Sequence, residues 1–293
     1  MKLKLPHNQV TAVILGTMQD GGLPHIGCEC VHCAAAYAAS EQGLAACLAI
    51  VDKRRTETAV FLVDATPDIK QQLHLLADTL GEHPTRPTRL RQPDALFLTH
   101  AHMGHIGGMP QLGPEAMAVE QLPVYASSKL CDLLNKTQLW SPMVERIDLR
   151  PISANQPLQL GDDLWITAVS VPHRDEWNVG TYAFHIQGPT HSLLYLPDID
   201  SWDEWPDAQS QLNSVDYALV DATFYSADEL GGRDPVAHPL VTDTLQRFAD
   251  MPEKLLLTHF NHTNPILDSG STAQKTVSDS GVKMAQLGQI ICL

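Results

Sequence analysis

Three histidines stand within six residues at the end of a short apolar run. Ala95 to Leu98 leads through Thr99 into His100, His102 and His105. Neutral imidazole is the commonest protein ligand for zinc-like metals. Two histidines two positions apart where a strand gives way to a loop, with a third just beyond, can converge on one point. Gly104, Gly107 and Gly108 let the backbone bend around them. The chemistry this predicts is metal-assisted hydrolysis, in which a divalent ion polarises a water that attacks an electrophilic phosphorus or carbonyl.

Further candidates sit where other apolar runs stop. Asp64 ends AVFLVD, His173 follows WITAVSVP, Asp198 follows LLYLP, Asp221 ends DYALVD and His259 ends KLLLTH. Side chains at strand ends leave a rigid sheet and enter a cleft, so active sites are commonly assembled there. One such His or Asp alone is ordinarily a turn or cap residue; the ordered set is what points to a site. His238, in DPVAHPL ahead of a helical pattern, is the candidate acid or charge stabiliser, with an ordinary loop histidine as the alternative.

A second cluster follows the first strand and a GGLP turn. Cys28, Cys30 and Cys33 have C-x-C-x-x-C spacing, which favours a structural zinc held by four thiolate or imidazole ligands. The fourth ligand comes from nearby His32 or from elsewhere, and His262, three residues after His259, is the preferred choice. The spacing suits a metal in a reducing compartment better than a disulfide framework. Cys47, Cys131 and Cys292 are scattered and read as buried or inert thiols.

The elements that must position these residues are short and mostly apolar. Strands are expected at Val10–Leu15, Ala59–Val63, Leu96–Thr99, Val124–Ala126, Trp165–Val171, Thr181–Ile186, Ser192–Leu196, Tyr217–Val220 and Lys254–Thr258. Helical spacing marks Pro67–Leu80 and Leu240–Ala249, the latter with Pro239 suited to a first turn. There is no internal repeat and no low-complexity tract. The alternation suits an α/β or α+β fold with packed sheets and helices outside. Trp202 and Trp205 lie in an acidic stretch, and a packed surface loop is the default there, with a cleft lining as the alternative.

Composition bounds the partners. The chain has 293 residues, 44% of them hydrophobic, and a formal net charge of −15. That charge argues against nucleic acid, since phosphate binding needs a basic surface. Arg86, Arg89 and Arg91 are interspersed with prolines and read as a solvated connector. The MKLKLPHNQV segment lacks the apolar core of a signal peptide, and no apolar stretch approaches the ~20 residues that span a bilayer. The expectation is a cytoplasmic protein with a small-molecule substrate, no nucleic acid and no membrane; a homodimer is left open.

The histidine loop resembles the His-x-His-x-Asp-His signature of the metallo-β-lactamase superfamily, with Gly104 where that pattern has Asp. The resemblance implies an αββα sandwich in a single domain over residues 1–293. It implies that His100, His102 and His173 bind a first metal and that Asp198 bridges two. His105 and His259 then bind the second metal together with Asp198, and Asp64 braces the histidine loop by accepting hydrogen bonds. In that family the Asp ligates the second metal, or acts as base when one metal is bound. Gly104 thus subtracts a ligand, so a weakened second site is expected, along with its tightening by Gly104→Asp. The implied cofactors are a structural Zn and one or two divalent ions, with Zn, Mn and Fe all compatible.

The cysteine loop is similar to that of the phosphonate-pathway cyclic phosphodiesterases, which have a Gly-Cys-Glu-Cys-x-x-Cys loop and a distal histidine. The Gly21-Gly22-Leu23-Pro24 turn, the DATFYSADELGG stretch and the segment from His262 to Leu267 resemble the B-protein family of pyrroloquinoline quinone biosynthesis. That family has lost some of the leading histidines and keeps the Asp; here all three histidines stand and the Asp is absent. Three readings follow. One is a hydrolase of a small phosphodiester, ester or lactone-like substrate. The second is a metalloprotein of the quinone pathway, as a redox or oxygenase step or a carrier. The third is a non-catalytic metal-binding relative.

Overall fold

The computed structural model describes residues 2–233, 235 and 237–293. Fourteen strands are assigned among them. They are β1 (Val10–Gly16), β2 (Cys47–Asp52), β3 (Ala59–Val63), β4 (Ala95–Phe97), β5 (Leu122–Ser127), β6 (Ile147–Ile152), β7 (Pro157–Gly161), β8 (Leu164–Val171), β9 (Thr181–Gln187), β10 (Ser192–Leu196), β11 (Tyr217–Asp221), β12 (Leu255–Thr258), β13 (Lys283–Met284) and β14 (Ile290–Cys292). They form two seven-stranded mixed sheets, ordered β14-β1-β2-β3-β4-β5-β6 and β13-β12-β11-β10-β9-β8-β7.

The core has three layers, and that fixes the architecture. On β1, Val10, Ala12 and Ile14 face the second sheet and, with Phe97 of their own sheet, meet Leu164, Ile166, Phe184, Ile186 and Tyr195. The alternate residues Val13 and Leu15 face outward and pack with Ile69, Leu73 and Leu76. The second sheet does the same on its far side, where Val220 and Leu257 meet Trp202, Leu212, Val241 and Phe248. Strands buried on both faces read as nearly continuous apolar runs, which is how VTAVIL and YALV look in the sequence. The result is the expected αββα sandwich.

The differences from the sequence reading have local causes. The strand β2 was not expected, because the Ala-rich run from Leu44 to Val51 has no period that separates strand from helix. Strands β6 and β7 are edges carrying proline, and β13 and β14 are two and three residues long. The helix expected over Pro67–Leu80 breaks at Leu76 into α1 (Ile69–Leu75) and α2 (Ala77–Leu80). Trp202 and Trp205 are packed in the outer core, and Trp202 Nε1 donates to Thr244 Oγ1 at 2.9 Å. Cys292, expected to be buried or inert, is exposed and bonds Gln9 Oε1. Among the described residues no helix is long and apolar enough to cross a membrane.

Strand direction places the site. Strands β3 and β4 are parallel neighbours, as are β10, β11 and β12. Strand β8 pairs antiparallel with β9, which pairs antiparallel with β10, so β8 and β10 run the same way. The candidates therefore leave at the carboxyl ends of strands that share a direction within each sheet. The inter-sheet layer that aligns those ends hinges on Phe184, fully buried and edge-on to Phe97 with centroids 5.7 Å apart. Phe184→Ala is expected to lower stability by about 3–5 kcal/mol. Denaturant unfolding would read this as a lower midpoint with an unchanged slope.

Candidate metal centre

Two buried aspartates at strand ends organise the site in the same manner. Asp64 follows β3 with a left-handed φ of +71°, an uncommon conformation for a residue with a side chain. It accepts hydrogen bonds from Thr99 N at 2.8 Å, Thr99 Oγ1 at 3.0 Å and His105 Nδ1 at 2.7 Å. Asp221 ends β11 and accepts from Thr223 N at 3.0 Å, Thr223 Oγ1 at 2.8 Å and His238 Nδ1 at 2.7 Å. Each threonine hydroxyl, having given its proton to the aspartate, accepts from a further histidine. Thr99 Oγ1 takes His100 Nδ1 at 3.0 Å and Thr223 Oγ1 takes His259 Nδ1 at 2.9 Å. His238 and His259 also have positive φ, +70° and +63°.

These bonds fix tautomers. A histidine whose Nδ1–H is donated outward presents the Nε2 lone pair inward, as ligating histidines do. His100, His105 and His259 are held this way. His102 is turned round: its Nε2 meets Glu176 Oε2 at 2.8 Å, leaving Nδ1 inward. His173 Nδ1 lies 2.8 Å from Asp200 Oδ1.

The inward atoms converge. His102 Nδ1 lies 2.9 Å from His100 Nε2 and 3.2 Å from His173 Nε2. Asp198 stands between two groups of ligands. Its Oδ1 is 3.6 Å from His173 Nε2, and its Oδ2 is 2.9 Å from His105 Nε2 and 3.4 Å from His259 Nε2. Ligands on one ion at bonds of about 2.1 Å stand roughly 3–4 Å apart, so the set fits a pair of divalent ions sharing Asp198. The buried atoms His105 Nε2, His259 Nε2, Asp198 Oδ2 and Asp20 Oδ1 have no aligned hydrogen-bond partner among the described residues. Buried polar atoms are ordinarily satisfied, and these orphans cluster about His105 and His259, an arrangement that fits a cation.

Charge agrees with this except at His105, where burial is outweighed by Asp198 and Asp64 and the pKa rises well above the usual value, so an ion would have to displace a proton. Burial works against the Asp198 carboxylate, but His259, His105 and His100 more than offset it and hold its pKa well below the usual range. Burial and the neighbouring imidazoles push His100 well down, and burial also lowers His173 and His259, so these rings favour the neutral, ligating form. For His238, burial is outweighed by Asp221 and Asp198, and its pKa rises to about 9. The His238 ring borders two cavities of about 270 and 550 Å³, the smaller also lined by Arg174 and Arg233.

The cysteine cluster forms a separate centre. His262 Nδ1 lies 3.6 Å from Cys28 Sγ and 3.5 Å from the sulfurs of Cys30 and Cys33. A tetrahedral zinc with Zn–S of ~2.3 Å and Zn–N of ~2.05 Å would put S and N about 3.6 Å apart. The four residues form a candidate structural zinc site. His32, the other option for the fourth ligand, is occupied: its Nδ1 bonds the carbonyl of His262 at 2.6 Å.

Every candidate named from the sequence is therefore placed in one of these two centres or bonded directly to them. Asp20, Glu176, Asp200, Thr99 and Thr223 were missed. The threonines precede or follow named residues, and Glu176 and Asp200 sit within three residues of His173 and Asp198, so proximity was the available signal. For Asp20, in the MQDGG turn, there was none. One expectation is corrected. A side chain at Gly104 has no room, because a Cβ there would stand 2.6 Å from Asp20 Cα and 2.9 Å from Asp20 Cγ. Gly104→Asp would displace the first loop rather than tighten a site.

Asp64→Ala removes the acceptor for three buried donors at once. It is expected to cost about 3 kcal/mol or more, measured by denaturation of chelator-treated protein; an unchanged midpoint would refute the bracing role.

Residues 60–260 match the sequence profile of the beta-lactamase superfamily domain. Coenzyme PQQ synthesis protein B of Methylobacterium sp. (strain 4-46) is 25% identical over 96% of this chain and 99% of its own length. The same protein of Xanthomonas campestris pv. campestris (strain B100) is 26% identical over the same shares. Among solved structures, Zn(2+)-bound PqqB from Methylobacterium extorquens is similar with a TM-score of 0.81 at 22% identity, covering 97% of this chain and 100% of that one. A diphosphatase of the PhnP family gives 0.70 at 20% identity, covering 97% of both chains. With the matched span carrying both aspartate braces, Asp198 and every histidine that points inward, the chain belongs to the beta-lactamase superfamily and has the metallo-β-lactamase fold.

Proposed function

We propose that the chain, as one domain over residues 1–293, is a metal-dependent hydrolase of a small anionic ester, with phosphodiesters and diphosphates foremost. The observation that carries this reading is the set of tautomer-fixed histidines whose inward atoms crowd together with Asp198, His105 Nε2, His259 Nε2 and Asp198 Oδ2 being left without aligned partners. His100, His102 and His173 would hold one ion, His105 and His259 a second, and Asp198 would touch both. The Zn(2+)-bound state of the Methylobacterium extorquens neighbour supports zinc as the ion, and the donor set also accepts Mn or Fe. Bound there, a divalent ion supplies Lewis acidity and brings the pKa of water near ~7.

The chain's own residues supply the rest. Arg174 and Arg233 border the smaller cavity and give it the positive charge that an anionic substrate needs. His238 lines the same cavity with its Nδ1 anchored on Asp221, so the ring is oriented and carries a proton at neutral pH. It can hold that proton toward a leaving oxygen, or stabilise charge developing there. Glu176 and Asp200 keep His102 and His173 aligned from outside. The net charge of −15 supports a small substrate rather than nucleic acid.

A second reading, a metalloprotein of quinone-cofactor biosynthesis, is favoured by the end-to-end similarity to the PQQ synthesis B proteins. Metal-loaded protein should hydrolyse bis(4-nitrophenyl) phosphate or a dinucleoside diphosphate. His238→Ala should lower kcat by roughly 10²–10⁴-fold with metal content unchanged. Failure on phosphodiesters, diphosphates, esters and lactones alike, with oxygen uptake by the Fe(II)-loaded protein, would replace the first reading with the second. Cys30→Ser should lose one equivalent of zinc by elemental mass spectrometry while the histidine site still loads.

A further inference from the structure

Asp20 lies far in sequence from every other group at the centre, in the turn after β1. That turn is tightly built. Gly22 N bonds Gln19 O at 2.8 Å, closing a four-residue turn with Asp20 at its second position. Gln19 N bonds Phe260 O and Phe260 N bonds Thr17 O, both at 2.8 Å, so the turn hangs from the residue that follows His259. Met18 bridges to Phe260 on one side and to Ala45 on the other. A carboxylate and an imidazole that face one point are thus carried on directly hydrogen-bonded backbone.

The carboxylate reaches that point. Asp20 Oδ1 lies 3.8 Å from His105 Nε2, and Asp20, His105 and His259 form one group with metal-ligand spacing. Asp20 Oδ1 is itself buried without a hydrogen-bond partner, although the side chain as a whole is 27% exposed. A buried carboxylate oxygen with no donor costs free energy unless a cation meets it. The space it uses is the space that a side chain at position 104 would need, and only glycine leaves it open.

We propose that Asp20 is a ligand of the second metal, together with His105, His259 and Asp198, and that Gly104 is the cavity that admits it. The carboxylate that the superfamily signature places between the second and third histidines is delivered here from the first loop. The second site is therefore complete rather than one ligand short. This rests on the reading of the histidine cluster as a metal centre. It goes further by assigning a ligand outside the signature and by predicting full occupancy from a chain whose signature is broken.

The experiment is a Mn(II) titration of full-length protein whose cysteine site is left zinc-loaded, followed by calorimetry and by electron paramagnetic resonance. Wild type should take two equivalents and give the exchange-coupled spectrum of a manganese pair sharing a carboxylate. Asp20→Asn should keep one equivalent, weaken the second by at least about 100-fold, and give the spectrum of isolated Mn(II). Asp20→Ala, which only relieves space at Gly104, should do the same and serves if the Asn variant folds poorly. His102→Ala is the contrasting arm and should lose the first ion instead. Two ions bound to Asp20→Asn with wild-type affinity and a coupled spectrum would overturn the proposal, as would a wild type that saturates at one. A wild type that binds no Mn(II) or Zn(II) beyond the cysteine site, with His102→Ala indistinguishable from it, would instead overturn the metal-centre reading beneath it.

Discussion

One buried carboxylate sets the terms for the rest of the structure. Asp198 leaves β10 at the rim of an apolar sandwich, 3% exposed, and its charge has to be matched there. An unpaired carboxylate in such surroundings would cost several kcal/mol. The match comes from both sheets. His105 arrives from the loop after β4, His173 from the end of β8 and His259 from the end of β12, each within 3.6 Å of a carboxylate oxygen. The two sheets are pressed together by apolar contact along their whole inner face, but at this rim they are joined by charge. The rim therefore tolerates little movement, which is what a site for one or two ions requires.

The imidazoles could not serve if they were free to rotate or change tautomer. The chain meets this twice with the same device, once in each sheet. An aspartate in left-handed or strand-end backbone receives a threonine and a histidine, and the threonine hydroxyl passes the orientation to a second histidine. Asp64 with Thr99 governs His105 and His100; Asp221 with Thr223 governs His238 and His259. One member differs in its use. His105 presents its Nε2 to Asp198, whereas the nearest Asp198 contact of His238 is from Nδ1, at 3.9 Å, and the ring opens onto the cavities. The same brace thus presents a candidate ligand on one side and, on the proposed function, a candidate proton carrier on the other.

Most strands and candidate site residues were legible in the sequence because they are local, while the αββα sandwich and the grouping of the candidates around two ions came from the resemblance to the metallo-β-lactamase superfamily. A strand end followed by His, Asp or Thr can be read residue by residue, and the VTAVIL, AVFLV and YALV runs announce their own strands. The candidate fourth zinc ligand, His262, was within reach because it stands three residues from His259. What was not legible depends on contacts between distant segments. Strand β2 is written in a run whose period is ambiguous, and the edge strands have too few apolar residues to signal anything. Gly104 read as a missing ligand because a sequence shows the lost side chain and not what fills the space. Asp20, preceding two glycines, looks like any turn aspartate until the turn is seen lying against the histidine loop.

The cysteine cluster is part of the same construction. The first loop leaves β1, is hydrogen-bonded to Phe260 at Thr17 and Gln19, and returns to the same segment through Cys28, Cys30 and Cys33 around His262. It is clamped at both ends to four residues of chain, His259 to His262, that also carry a metal-facing imidazole. Ordering a residue in a loop costs roughly 1–2 kcal/mol of conformational entropy. Beyond its hydrogen bonds to Phe260, this loop has little apolar burial of its own to hold one carboxylate in place. Ile26 and Val31 in it are exposed, and only Cys33 and a few others are buried. Zinc at this candidate site would cross-link the loop to the segment after β12 and supply that order without a core, where the position of Asp20 relative to His259 is set. The candidate structural centre and the candidate catalytic centre are therefore two ends of one tether: metal at the first would fix the loop from which, on the proposal above, the second would draw a ligand.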